Sequence, residues 1–186
     1  MRSFVLALVV LLTSLSGWAS EPLSFTAVVQ VEGVSQAELF VRAQAWFATT
    51  FKCGKCVMQT ADKEAGQVIG RGAYEYASAT FLSSKAISGW VTYTVKVFVK
   101  DGRYKYEITD FMHEGSPTAS QYGSYPPFSF GLVTTDENYP DIKYCTKGIC
   151  GKNWEKLKKD SEAQAKSLIE SLAKAMATPA SGQNAW

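Results

Sequence analysis

The stretch Trp90 to Thr109, WVTYTVKVFVKDGRYKYEIT, constrains this chain more than any other. Val91, Tyr93, Val95, Val97 and Val99 alternate with Thr92, Thr94, Lys96 and Lys100, which places the apolar set on one face of an extended strand. Asp101-Gly102 interrupts the run as a tight hairpin turn requires, because glycine accepts positive φ without steric cost. The return strand sets Tyr104, Tyr106 and Ile108 against Arg103, Lys105 and Glu107. Such a ribbon has one dry face and one wet one, and a lone hairpin is marginal in water. Other strands must widen it, and other elements must cover its apolar side.

The chain before the ribbon supplies both. Leu23 to Val31 reads as a strand with Phe25, Ala27, Val29 and Val31 on one side. Val28 leaves the other side less polar than a free edge usually is. Gly33-Val34 turns the chain, and Ser35-Gln36-Ala37-Glu38 has capping-box spacing, so a helix is expected from there to about Phe51. Phe40, Ala43, Phe47 and Phe51 trace its buried stripe, with Ala37 continuing it and Gln44 as its polar member. Leu39 and Trp46 widen the apolar surface beyond a narrow seam. Residues 52–65 read as a short strand and the charged turn Asp62-Lys63-Glu64. Gly66 to Tyr76 reads as a strand whose one face shows Val68, Gly70, Gly72, Tyr74 and Tyr76; two glycines on one face mark close approach of a helix backbone or a bulge.

Past Thr109 the pattern loosens. Phe111 to Trp154 is rich in Pro, Gly, Ser, Thr and Tyr and is expected to form a long loop insertion, with a short strand near Phe128 to Leu132 and a local hairpin at Tyr144 to Cys150. From Trp154 a helical period returns, carrying Leu157, Ala165, Leu168, Ile169, Leu172 and Met176. Pro179 and Gly182 release a polar tail over 179–186. These pieces make a two-layer α+β domain, an antiparallel sheet with two helices packed on one face, since neither helix can bury its stripe against water.

Length agrees with one domain, over 20–178 of the 186 residues. Residues 1–19 read as a cleaved signal peptide: Arg2 begins it, Phe4 to Leu12 is its apolar run, and Gly17-Trp18-Ala19 places small residues at −3 and −1. No stable membrane span is then expected of the mature chain, whose location would be the periplasm or the exterior. Removing Arg2 and no acidic residue takes the formal net charge from +2 to +1, too little to attract nucleic acid. Export also bears on the four cysteines, since disulfides persist in oxidising compartments.

Three stretches together, VEGVSQAELFVRAQAWFATTFK, DKEAGQVIGRG and VTYTVKVFVKDGRYKYEITDF, resemble the DUF4468 family of exported bacterial domains with a TBP-like fold. The resemblance covers Phe25 to Met112 and rests on Trp46, Phe51, the Asp62-Lys63-Glu64 turn before Gly70 and Gly72, and the Asp101-Gly102-Arg103-Tyr104 hairpin. It implies a curved sheet with helices on one side and carries no assigned reaction, catalytic residues or cofactor. A shared fold does not license DNA binding either.

The residues offer several candidate sites. Cys53-x-x-Cys56 follows the expected helix, so it lacks the helix-dipole activation of a thioredoxin-type pair. Cys53, Cys56, Cys145 and Cys150 are read as structural disulfides, with local pairs slightly favoured over crossed ones; the alternative is one zinc site of four thiolates. His113, the single histidine, lies between Asp110 and Glu114 and reads as a solvated loop residue; the alternative makes it a general base. Tyr122, Tyr125, Phe128, Phe130, Tyr139 and Trp154 are a candidate binding surface, with the reading in which they pack the loop onto the open sheet as a satellite core favoured over it. The leading functional expectation is a non-catalytic binding or scaffolding domain that engages a protein or peptide of the cell envelope. The alternative is a small hydrolase using His113, or a thiol redox protein using Cys53 and Cys56.

Overall fold

The computed structural model describes residues 20–51, 57–81, 84–120, 123–125, 127–143 and 145–179. The expected leader and the tail beyond 179 lie outside the described residues. In chain order the elements are β1 (Phe25–Gln30), α1 (Gln36–Thr50), β2 (Val57–Asp62), β3 (Gln67–Tyr76), α2 (Ser84–Ile87), β4 (Gly89–Lys100), β5 (Arg103–Gly115), β6 (Thr118–Ser120), β7 (Gly123–Tyr125), β8 (Gly131–Leu132) and α3 (Lys147–Ala177).

The central ribbon forms as β4 and β5, paired from Lys100↔Arg103 inward, with Gly102 at φ 71° in the turn. The Asp101 carboxylate accepts from the Gln36 amide at 2.7 Å, which fastens the turn to the first residue of α1. The sheet runs β1-β5-β4-β3-β2, antiparallel throughout, and β8 extends it along β5. β6 and β7 pair separately.

The expected curved sheet is not what forms. The sheet is open, neither strongly curled nor closed, and β1 and β2 lie at opposite edges. Curl is built by bulges and glycine kinks repeated across a sheet. Here the β3–β4 ladder runs without a break from Gln67↔Phe98 to Tyr76↔Gly89. Register shifts occur only between Met58 and Thr60 and between Thr92 and Thr94 among the described strands. Gly72 is no kink: a side chain there would fall inside the Tyr93 ring of the neighbouring strand, so its closest partner is an aromatic ring and not a helix backbone.

The insertion begins later than expected. Asp110, at φ 57°, and Phe111 together oppose the single residue Tyr93, a bulge that moves the buried set from Tyr104, Tyr106 and Ile108 to Phe111 and His113. β5 therefore continues to Gly115 and does not stop at Thr109. The insertion also ends earlier than expected. α3 starts at Lys147, so the expected hairpin at Tyr144 to Cys150 is replaced by a helix N-terminus.

Both long helices lie on the face that carries Val91, Tyr93, Val95, Val97 and Val99, all buried. The Tyr93 ring stacks on Phe111 and tilts against Phe51 at the end of α1, and its hydroxyl accepts from Gln164 of α3 at 3.1 Å. Tyr74 and Ser161 share a hydrogen bond at 2.9 Å, and the Tyr76 hydroxyl donates to the Asn153 carbonyl at 2.9 Å. Burial pushes all three tyrosine hydroxyls above their ordinary range, which keeps them protonated. The helices also meet each other: the Trp46 indole donates to Ser171 at 3.0 Å, and buried Arg42 donates to the Met176 carbonyl at 2.6 Å. Ala37, expected in the buried stripe, is exposed instead, and Leu39, Arg42 and Trp46 fill the side of α1 that meets α3 and the sheet.

Candidate binding surface

His113 is not a solvated loop residue. The extra reach of β5 carries it inside, where it is 1% exposed between Tyr76 and Phe130. Its Nε2 faces the Ile87 carbonyl at 2.9 Å, and the Phe130 amide donates to its Nδ1 at 3.1 Å. A carbonyl only accepts, so Nε2 carries the proton and the ring is neutral. Burial lowers its pKa from 6.5 to about 4, opposed in part by the Ile87 hydrogen bond. With both nitrogens held by backbone, His113 clips α2 and the 128–130 segment onto β5 and has no nitrogen left for a proton transfer. Neighbouring Glu114 is exposed, and Asp110 accepts from the Thr109 hydroxyl at 2.9 Å.

Cys145 and Cys150 are joined to each other, with Cα atoms 5.8 Å apart, closing a loop into the first turn of α3. That leaves neither sulfur for a crossed pairing or a four-thiolate zinc set. Cys53 and Cys56 lie outside the described residues. Among the described residues, no cluster of three or more His, Cys, Asp or Glu side chains is placed to hold a metal. His113 is therefore not a free base for a hydrolase, and no metal set accompanies it among the described residues.

The aromatic candidates turn inward. Phe130 and Trp154 are buried and lie 5.8 Å apart, and the Trp154 indole donates to the Asp136 carbonyl at 3.0 Å. Phe128 and Tyr139 are partly buried against the same core. These four therefore form a satellite of the core, not a surface, because the 127–143 segment folds back over α3 and β5 with its rings beneath it. Tyr125 is described only as backbone in β7, and Tyr122 lies outside the described residues.

What the sheet leaves open is its other face. Thr92, Thr94, Lys96 and Phe98 of β4 are half-buried there with no helix above them among the described residues, beside Val28 and Met112, which are 57% and 39% exposed. Near the hairpin this face carries a cavity of about 420 Å³ lined by Val28, Phe98, Tyr104 and Lys105, with Lys100, Arg103 and Glu107 also in its wall. Register explains the grouping: Val28 faces Lys105, Lys105 faces Phe98, and Arg103 faces both Gln30 and Lys100. Lys105 pairs with Glu107 at 2.6 Å and lies 6.0 Å from the Phe98 ring centre. Lys96 reaches the same Glu107 at 3.9 Å. Among the described residues, Lys100 and Arg103 have no carboxylate partner. In the sequence this face is signalled by Val28 and by Phe98, which sits between Lys96 and Lys100 on the polar side of the β4 alternation.

An open antiparallel sheet with two long helices on one side places this chain among TBP-like α+β domains. It belongs, through residues 25–114, to the family described as "Domain of unknown function (DUF4468) with TBP-like fold". It is similar to the crystal structure of a DUF4468 family protein from Bacteroides ovatus ATCC 8483, at 18% identity and a TM-score of 0.58 over 86% of this chain and 89% of that one. It is also similar to a TBP-like protein from Parabacteroides distasonis ATCC 8503, at 14% identity and a TM-score of 0.54 over 82% of this chain and 93% of that one. At these identities the likeness is one of fold. No curated protein matches the chain. Among the described residues, no helix is long and apolar enough to cross a membrane.

Proposed function

We propose that the chain is an exported binding or scaffolding domain that engages a protein or peptide of the bacterial cell envelope through the sheet face its helices leave open. The observation that carries this reading is the cavity on that face, apolar at Val28 and Phe98 and bordered by Lys100 and Arg103. An apolar floor with charges at its margin is how transient protein contacts are built. Placement in the envelope rests on the leader pattern over 1–19 and agrees with the Cys145–Cys150 disulfide. The test is a photo-crosslinking amino acid placed at Phe98, and separately at exposed Lys166 on α3, in the native host. A discrete adduct from position 98 alone is expected, together with an intact mass that starts at Ser20. Equal adducts from both positions, or none from 98, would remove the open face as the binding surface.

A further inference from the structure

Beyond the groove itself, the edge beside it is unguarded. β1 pairs with β5 on one side only, and among the described residues nothing pairs with its outer side over Phe25–Gln30. Edge strands are normally protected by charge, proline, a bulge or a cover, because their free amides and carbonyls recruit other strands. FTAVVQ has none of the first three: it carries no charged residue and no proline, and its register to β5 is continuous. Its exposed face holds Val28, and its helix-side residues Phe25, Ala27 and Val29 stay half-exposed. The chain does cover its neighbours. Leu23 donates to the Val133 carbonyl and Thr135 to the Glu21 carbonyl, so among the described residues the strip before β1 is sheathed while β1 is not.

We infer that β1 accepts an added strand from an acidic, partly apolar extended segment of another protein, which completes the sheet and places its side chains against the Val28–Phe98 groove. This rests on the open-face reading above and names the partner's chemistry. Main-chain bonds to an edge supply affinity without sequence demand, and alternate side chains supply choice. Six residues of edge span about 20 Å, enough for a strand of that length. The charge beside the edge selects the occupant. Lys100, Arg103 and Lys105 stand in the groove wall against Glu107 alone, which Lys96 and Lys105 already neutralise. The nearby Asp101 carboxylate is turned to the α1 amide. The added strand would lie two strand spacings, about 10 Å, from β5, within the combined reach of an Arg or Lys stem on β5 and a glutamate side chain on the added strand. A second copy of this chain would bring the same cations to the same edge, which disfavours it.

The probe is an acetylated, amidated ten-residue peptide that alternates valine with glutamate, compared with its valine–lysine counterpart, added to the protein purified after export and followed by amide NMR. Saturable shifts and slowed hydrogen exchange along Phe25–Gln30 are expected with the acidic peptide. At least tenfold weaker binding is expected for the basic peptide. The exposed substitutions Val28→Lys and Arg103→Glu should each weaken the acidic peptide at least tenfold while leaving the unfolding midpoint unchanged. Equal affinity for both peptides, shifts confined to other elements, or no saturable binding would overturn the acidic strand while leaving the crosslink at Phe98 to stand or fall by itself. A concentration-dependent dimer with β1 protected would overturn it in favour of a second copy.

Discussion

Substituting the single histidine gives the sharpest test of how this core is built. In the folded protein His113 is held neutral, with its pKa lowered to about 4 from 6.5 chiefly by burial. The unfolded chain takes up a proton as pH falls through 6.5, whereas the folded chain resists until about 4. The stabilisation is thus complete above 6.5 and lost progressively between 6.5 and about 4. One pKa unit is worth about 1.4 kcal/mol, so the full swing is about 3 kcal/mol. Carboxylates titrate in the same window, so the comparison must be between two chains. Urea unfolding of the wild type and of His113→Gln at pH 7 and pH 4 isolates the imidazole, because the amide does not titrate. The wild type should lose about 3 kcal/mol more than the variant between those values. The ring nitrogens should report the Nε2–H tautomer by NMR. A histidine that titrates near its ordinary pKa, or equal pH slopes in the two chains, would refute the buried-clip reading and reopen His113 as a base.

Three further outcomes follow from the same packing. Gly72→Ala puts a methyl inside the Tyr93 ring and should cost about 1–3 kcal/mol in chemical denaturation, with Tyr93 fluorescence or NMR shifts displaced. Asn153→Ala removes the side chain whose Oδ1 accepts from Tyr76, Ser78 and the Ala79 amide and whose Nδ2 donates to Thr80 and Ile149. Losing those bonds from a fully buried side chain should cost about 1–3 kcal/mol and raise hydrogen exchange over residues 77–80 before the sheet opens. The paired substitution Cys145→Ser with Cys150→Ser opens a short loop and should cost about 2 kcal/mol, fraying the first turns of α3 and leaving α1 unchanged by hydrogen exchange.

The parts of the fold legible in the sequence were those where one period runs unbroken. β4 and the first half of β5 alternate cleanly around Asp101-Gly102, and the Ser35 hydroxyl caps α1 by accepting from the Glu38 amide at 3.3 Å. The fold is not legible where a period is interrupted for a structural reason. The Asp110 bulge slips β5 by one residue, so Phe111 and His113 look out of phase with Tyr104 to Ile108 although they share its buried face. α3 begins before its apolar pattern is visible because its first turns hold Gly148, Gly151 and the disulfide, and Thr146 supplies no side-chain cap. Of the candidate surface, the aromatic run signalled packing and not recognition, since rings bury as readily as they bind. The open face could not be read from any single strand. It depends on both helices choosing one side, and only Val28 and Phe98, each an apolar residue on the polar side of its strand, hinted that the opposite side would stay apolar.

The central claim is that the sheet is covered on one face and bare on the other, and methionine oxidation tests it directly. Met112 lies on the bare face at 39% exposure, whereas Met176 of α3 is fully buried against the covered one. Brief hydrogen peroxide treatment of the purified protein, read by peptide mass spectrometry, should oxidise Met112 at least tenfold faster than Met176. Met112 protected to the same degree as Met176 would mean that a further layer covers the sheet, and the binding surface proposed for this chain would not exist.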